Sequence, residues 1–398
     1  MTLNTENTTI YDELQLIRQQ AGAQTAVDRL VAFLESEGRF HEMFEALKMQ
    51  MRLKLELPAA QLDRNEKLSP ELEVKLEHGL IEACRRVGEG LFKQGKIREG
   101  WMYMRPVGDR PAAAAMLEQV LLTDENVDEL LEVLLHEGVD IARGYQLALD
   151  RLGTCNSITL FESALGARPR SDQQIGATLL VKHVHTELLA NLRRDIAKRE
   201  GKEPTEQSAE ELLKTRPDLM RDGSYHLDTS HLASTVRYAR VIEKPDDIRL
   251  ALDLTIYGRH LHPQFQYAGE EPFLDLYPSS AAFFRAMLGQ QVDQGIRYFT
   301  QKADSVDQSQ FGTVAVEVLI DLLARCGRKE EALRAYDTRM PVGNRLLGIA
   351  PTMLELSIAM GEYQSMQSIC RKRDDLLGYA AALLYDDHAA DQPSLTAD

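Results

Sequence analysis

Tyr225-His226-Leu227-Asp228-Thr229-Ser230-His231 sets two imidazoles and a carboxylate close together, and His183, His185 and Glu187 precede them in the chain. Imidazole nitrogen and carboxylate oxygen suit zinc, manganese or iron, and a coordination position left open would activate a water molecule. Helical spacing puts His183 and Glu187 on one face, four residues apart, and turns His185 away from them. His183, Glu187, His226, Asp228 and His231 are therefore the candidate ligands of a transition metal. Asp228 followed by Thr229 and Ser230 reads equally well as a helix N-cap, and no His-Glu-x-x-His signature supports the metal.

These residues border an unusual stretch. Aromatic side chains crowd between positions 224 and 300, from Tyr225 and Tyr238 through Phe273, Tyr277, Phe283 and Phe284 to Phe299. Six of the ten histidines fall between 183 and 262. Leu261 to Tyr277 carries Pro263, Gly269 and Pro272 with little helical period, which predicts a long irregular loop of the kind that often holds function. Tyr257-Gly258-Arg259-His260-Leu261-His262-Pro263 closes the preceding helix, its glycine and cations matching a helix C-terminus. Tyr257, His260 and His262 are candidate contacts for a partner. Glu270, Glu271 and Asp275, beside Tyr267, Phe273 and Tyr277, either mould a pocket or cover the core. The chain has no Gly-rich phosphate loop, no Gly-x-Ser-x-Gly elbow and no dinucleotide fingerprint.

The elements that must position these groups are helical. Apolar residues recur at spacings of three and four, while alternation at two is nearly absent, so the fold class is all-α. Leu14 and Ile17, then Val27, Leu30, Val31 and Leu34, predict two short amphipathic helices. Phe40, Met43, Phe44 and Leu47 begin a third, which runs to about Leu57 before Pro58 stops it. Pro70 opens a long helix through Leu91, and Asp124, Asn126 and Asp140 start segments ending near His136 and Leu152. Residues 173–199 form the longest helix, closed by Lys198, Arg199 and Gly201. The polar segment 201–222, with Pro204, Pro217 and one short helix at 209–214, reads as the connection between helical regions 11–200 and 223–386. Residues 1–10 and 387–398 read as disordered termini.

One local pattern recurs. Leu34 to Met43 around Gly38, Leu91 to Gly100 around Gly95 and Leu323 to Ala332 around Gly327 repeat it, and Ser357 to Met366 around Gly361 does so more loosely. A glycine accepts positive φ and ends one helix, polar residues turn the chain, and a small or flexible residue five positions on admits the next helix closely. Gly327 and Gly361 are 34 residues apart. Leu323, Gly327, Ala332 and Tyr336, with Gly88, Leu91, Gly95 and Gly100, carry a resemblance to the tetratricopeptide type of α-solenoid, in a degenerate form. That resemblance implies an α-α superhelix of stacked helical hairpins, with the best copies near 309–385, around an irregular central segment. It also implies a surface for protein partners. The match departs from the pattern where Gly38 and Gly95 stand 57 residues apart, where Met104 replaces the last aromatic, and in the middle of the chain, which shows no further copy. A second echo joins Met104-Arg105-Pro106-Val107-Gly108-Asp109-Arg110 to Arg339-Met340-Pro341-Val342-Gly343-Asn344-Arg345. Turn chemistry accounts for the Pro and Gly, and Arg105, Arg110, Arg339 and Arg345 are candidates for an anion-binding partner surface.

Composition narrows the partners. Of 398 residues, 44% are hydrophobic and 27% charged, enough for a sizeable core, and the net charge of −16 opposes general attraction to nucleic acid. The basic clusters at 193–194, 198–199 and 371–373 each have acids nearby. Glu317 and Asp321 break the most apolar run, so no membrane span is expected, and Met1 to Ile10 lacks the basic and apolar regions of a secretory signal. Four scattered cysteines without a Cys-x-x-Cys pair read as buried reduced thiols. The sequence thus predicts a cytoplasmic helical-repeat scaffold for a protein or peptide partner, with no cofactor. The alternative is a small-ligand-binding protein or metal-dependent enzyme using the central segment.

Overall fold

A computed structural model describes residues 9–60, 67–343 and 346–391, and among these the chain is helices and turns with no β-strand. Local chemistry sets the helix starts. Ser69 Oγ accepts the Leu72 N–H at 3.4 Å and Pro70 takes the first helical position of Pro70–Lys93, where its missing N–H costs nothing. Thr9 with Asp12 and Thr352 with Glu355 form reciprocal capping boxes. The two short helices expected before residue 36 form one element, Ile10–Ser36, interrupted at Gly22 (φ 89°, ψ 174°). The longest helix, Arg170–Glu200 with 31 residues, ends on Gly201 at φ 72° as its sequence foretold.

The chain forms two compact units, Met1–Ala148 and Leu149–Asp398. In the first, Val31, Leu34, Met43, Leu47, Val87 and Leu91 make one core cluster among three successive helices. A second cluster gathers Phe92, Ile97, Trp101, Met104, Leu117 and Leu134. Gly100 is where the Ile97–Val107 helix comes closest: a Cβ there would stand 2.5 Å from the Phe92 ring. In the second unit, Arg170–Glu200 packs against Thr229–Tyr238 and Pro245–His260, and Leu276–Met287, Val292–Ser305 and Val314–Arg325 stack beyond them.

The repeated hairpin turn is real and has one geometry. Gly38, Gly95, Gly327 and Gly361 have φ of 67°, 75°, 79° and 65°. In each, the next residue's N–H reaches back five positions: Arg39 to Leu34, Lys96 to Leu91, Arg328 to Leu323 and Glu362 to Ser357, at 2.8 to 3.2 Å. This is the six-to-one bond of a Schellman cap. The middle of the chain holds a fifth copy that the sequence pattern missed. Gly289 has φ 73° and Gln290 donates to the Arg285 carbonyl at 2.8 Å. There the turn carries an extra left-handed residue, Gln291 at φ 53°, so the small residue of close approach is Gly295, six positions on. That shift, with Arg285 in place of the leading leucine, hid the copy.

Three further expectations meet a different outcome. The polar 201–222 segment lies inside the second unit, where Ala209, Leu212, Leu213 and Leu219 are buried. The last helix, Leu376–Asp391, extends into the tail expected to be unstructured. The cysteines are free, but Cys155 is exposed and only Cys370 is buried. Among the described residues no helix is long and apolar enough to cross a membrane.

A Cβ at Gly327 would meet open space, so the cost of substitution there is purely conformational. Gly327→Ala is expected to lower the stability of the second unit by about 1–2 kcal/mol through the left-handed penalty, read as a shift in urea midpoint without a change in slope. An unchanged midpoint would remove this residue from the cap.

Candidate functional site

The residues expected to bind metal fall into separate local networks. His183 and Glu187 share a helix face, and both meet Thr154, whose hydroxyl lies 3.1 Å from His183 Nε2 and 3.5 Å from Glu187 Oε2. His226 is nearly buried and sits elsewhere, with Nε2 3.1 Å from Asp195 and Nδ1 3.2 Å from the Tyr257 hydroxyl. A consistent proton assignment has Nε2–H donating to Asp195 and Tyr257 O–H donating to Nδ1. The Tyr257 oxygen also accepts the His226 backbone N–H at 2.7 Å. Asp228 caps Thr229–Tyr238, accepting from the N–H groups of Ser230 and His231 at 2.9 and 3.2 Å. Glu187, His226 and Asp228 do line one open surface groove of about 700 Å³, but His183 and His231 do not. Among the described residues no three His, Cys, Asp or Glu side chains are placed to hold a metal ion.

His185, which the helical spacing turned away from the others, has a structural partner. Its Nε2 lies 2.8 Å from Asp253, and that buried carboxylate also accepts the backbone N–H groups of Ala209 and Glu210 at 2.8 Å each. Asp253 thereby joins three elements: the long helix, the start of Ala209–Thr215 and its own helix, Pro245–His260. Sequence offered no signal for this, because the partners are separated by 68 and 44 residues.

The residues expected to contact a partner are similarly dispersed. Tyr257 is fully buried, and burial pushes its hydroxyl pKa up, so it shapes the core rather than a surface. His260 and His262 are exposed; the first places Nδ1 2.9 Å from the Ile256 carbonyl, and the second caps the turn Pro263–Phe265. Arg105 is exposed beside Glu137 at 3.6 Å, Arg110 is exposed at the start of Arg110–Glu118, and Arg339 pairs with Asp304 at 2.7 Å. Arg345 lies outside the described residues. The Pro-Gly chemistry of the echo marks helix ends in both copies, with Gly108 and Gly343 at φ 75° and 78°. Arg373 completes the second, donating to the carbonyls of Tyr336, Met340 and Pro341 at 2.9 to 3.0 Å.

An apolar surface that sequence reasoning missed lies at the C-terminal hairpins. A groove of about 710 Å³ runs between Met340, Met353, Leu354, Met366 and Leu377. On the last helix Leu376 and Leu377 are 77% and 84% exposed, and Leu384 is 62% exposed. The signal was available, since Leu376 to Tyr385 is apolar on every face and so cannot be buried on one side only.

No protein-family model matches this chain, and no curated protein matches it in sequence. Among solved structures, one match is described as a circular tandem repeat protein with novel repeat topology and enhanced subunit contact surfaces. It is 12% identical, spans 96% of this chain and 88% of its own, and has a TM-score of 0.16. An overlay that loose says nothing about shared architecture or function.

The Ser230 hydroxyl first, and the N–H groups after it, hold the Asp228 carboxyl below the usual carboxylate range against the opposing effect of burial. A depressed acid contributes stability that is complete above its unfolded pKa and is lost as pH falls through the folded one. Asp228→Ala is therefore expected to cost about 1 kcal/mol at pH 7, trimmed by solvent screening of this exposed cap. The gap from the parent protein should narrow steadily below about pH 4, measured by urea unfolding across pH.

Proposed function

We propose that the protein is a cytoplasmic helical-repeat scaffold of tetratricopeptide type whose C-terminal hairpins seat an amphipathic helix from a protein partner. The observation that carries this reading is the uncovered apolar groove of about 710 Å³ beside the exposed leucines of the last helix. In a stack of helical hairpins each apolar face is covered by the next, and an end that stays in water needs a polar cap. Among the described residues the leucines of the last helix stay exposed, so a further helix would extend the stack. Methionines at 340, 353 and 366 give the groove side chains that adapt to differing apolar anchors.

The tetratricopeptide assignment is supported by Ala332 and Tyr336, which are buried where that type places a small residue and an aromatic. The Tyr336 hydroxyl donates to the Pro351 carbonyl at 2.7 Å and ties one hairpin to the next. Four free thiols suit a reducing compartment. Docking a helix calls for no cofactor.

A photo-crosslinking residue replacing Leu377, in the full chain expressed in its native host, tests the reading. A heteromolecular adduct is expected at a helical segment of the partner. Leu376→Glu with Leu384→Glu should reduce its yield by about tenfold or more, the scale of losing a buried interface anchor. Adducts only between two copies of this chain, or a yield indifferent to the glutamates, would overturn it.

A further inference from the structure

The second unit holds a cavity of about 320 Å³ that none of the candidate metal ligands or partner contacts lines, although Glu270, Glu271 and Phe273, read from sequence as moulding a pocket or covering the core, do. One wall comes from the irregular loop of the aromatic-rich segment, through Gly269, Glu270 and Phe273. The rest of its apolar surface includes Leu276, Phe283, Val314, Val318 and Ile349. Three arginines, Arg170, Arg237 and Arg240, enter the same space.

The three arginines are not equally committed to the protein. Arg170 donates to Asp321 at 2.9 Å and to the Ile349 carbonyl. Arg237 pairs with Glu162 at 3.0 Å and with Glu270. Arg240 has no ion pair among the described residues: Nη2 donates to the Ser279 and Ser280 hydroxyls at 2.9 and 3.4 Å, and the guanidinium stands 4.8 Å from the Phe273 ring centre. Its Nε is buried without a partner, as are the Nε groups of Arg170 and Arg237. Among the described residues its side-chain hydrogen bonds are all made by Nη2, and the residue lines the cavity. Asp275, the carboxylate that bears on Arg240 electrostatically, is engaged by the Tyr298 hydroxyl and by Lys302 at 3.4 Å.

The acids that line the cavity do not neutralise this centre. Glu270 and Glu271 are exposed, and Asp321 is shared between Arg170 and Arg325 at 2.9 and 3.3 Å. A desolvated cation without a counter-charge costs several kcal/mol, and it is retained where something else completes it. Burial drags the Arg240 guanidinium down to about 10, still fully charged at neutral pH. The volume falls at the small end of ligand pockets, and the wall is chiefly hydrocarbon.

We propose that this cavity binds a small organic anion, with a carboxylate or phosphate head on Arg240 and an apolar body against Phe283, Val314 and Val318. The head meets the guanidinium from the cavity and supplies the direct ion-pair partner it lacks among the described residues, while Ser279 and Ser280 hold the guanidinium in place. The site is independent of the C-terminal groove.

Isothermal titration of the full chain with hexanoate, phenyl phosphate, inorganic phosphate and hexylammonium tests it. One of the two organic anions should bind at one equivalent and hexylammonium should not; which of the two binds more tightly identifies the head. Arg240→Met should weaken that binding about tenfold or more, the scale of a lost charge-assisted hydrogen bond. Val314→Phe, which fills the apolar wall at a partly exposed position and leaves Arg240 intact, should weaken it comparably and decides the matter if the arginine variant does not fold. No heat from either organic anion at about 10 mM would overturn the proposal. So would hexylammonium binding as tightly, inorganic phosphate matching the organic anions, or Val314→Phe binding like the parent.

Discussion

Glu317, Asp321 and Arg325 stand one helical turn apart on Val314–Arg325, a helix otherwise apolar and buried, and the second unit is arranged around satisfying them. Glu317 is wholly buried and accepts the N–H groups of Leu347 and Ile349 and the Thr313 hydroxyl, at 2.9 to 3.2 Å. Asp321 takes Arg170 from the start of the longest helix. Arg325 donates to the carbonyls of Arg240 and Ile242, the turn that follows Thr229–Tyr238. A buried charge stripped of its partner costs roughly 3–5 kcal/mol, so each of these pairings fixes the position of a distant segment rather than merely decorating it.

That row also explains why the second unit contains a cavity. Segments held by hydrogen bonds to a rigid helix cannot collapse onto one another as freely as side chains in an apolar core. Leu347 to Ile349, Arg170 and the 239–242 turn are each pinned at hydrogen-bond distance from the same helix, and the space left between them and the Phe273 loop remains open. The first unit is held by apolar clusters between neighbouring hairpins. Its turns touch directly, as where Gln94 donates to the Gly38 carbonyl at 3.1 Å.

Legibility followed the distance over which each feature is decided. The hairpin turns were readable at Gly38, Gly95, Gly327 and Gly361 because a Schellman cap is settled within six residues. The copy at Gly289 escaped because Gln291 adds one residue to the turn and Arg285 stands where the best copies carry leucine. The histidine reading rested on each residue being plausible as a ligand by itself, and convergence is not a local property. His183 found Thr154, His185 found Asp253, and His226 found Asp195 and Tyr257. Glu317 and Asp321 were noticed only as interruptions of an apolar run; acids at helical spacing within a buried pattern were the available sign of a polar row.

Amino-acid order by itself determined the helical class, most helix starts and stops, and the repeated turn. Capping, φ preference and apolar period act over a few residues and need no tertiary partner. Only the folded chain decided which charges are paired and which are not. Arg170 meets Asp321 across 151 residues, while Arg240 meets hydroxyls and a ring and, among the described residues, forms no ion pair. Such pairing depends on how helices stack, and stacking is set by the sum of side-chain packing along whole faces, which no short stretch of sequence contains.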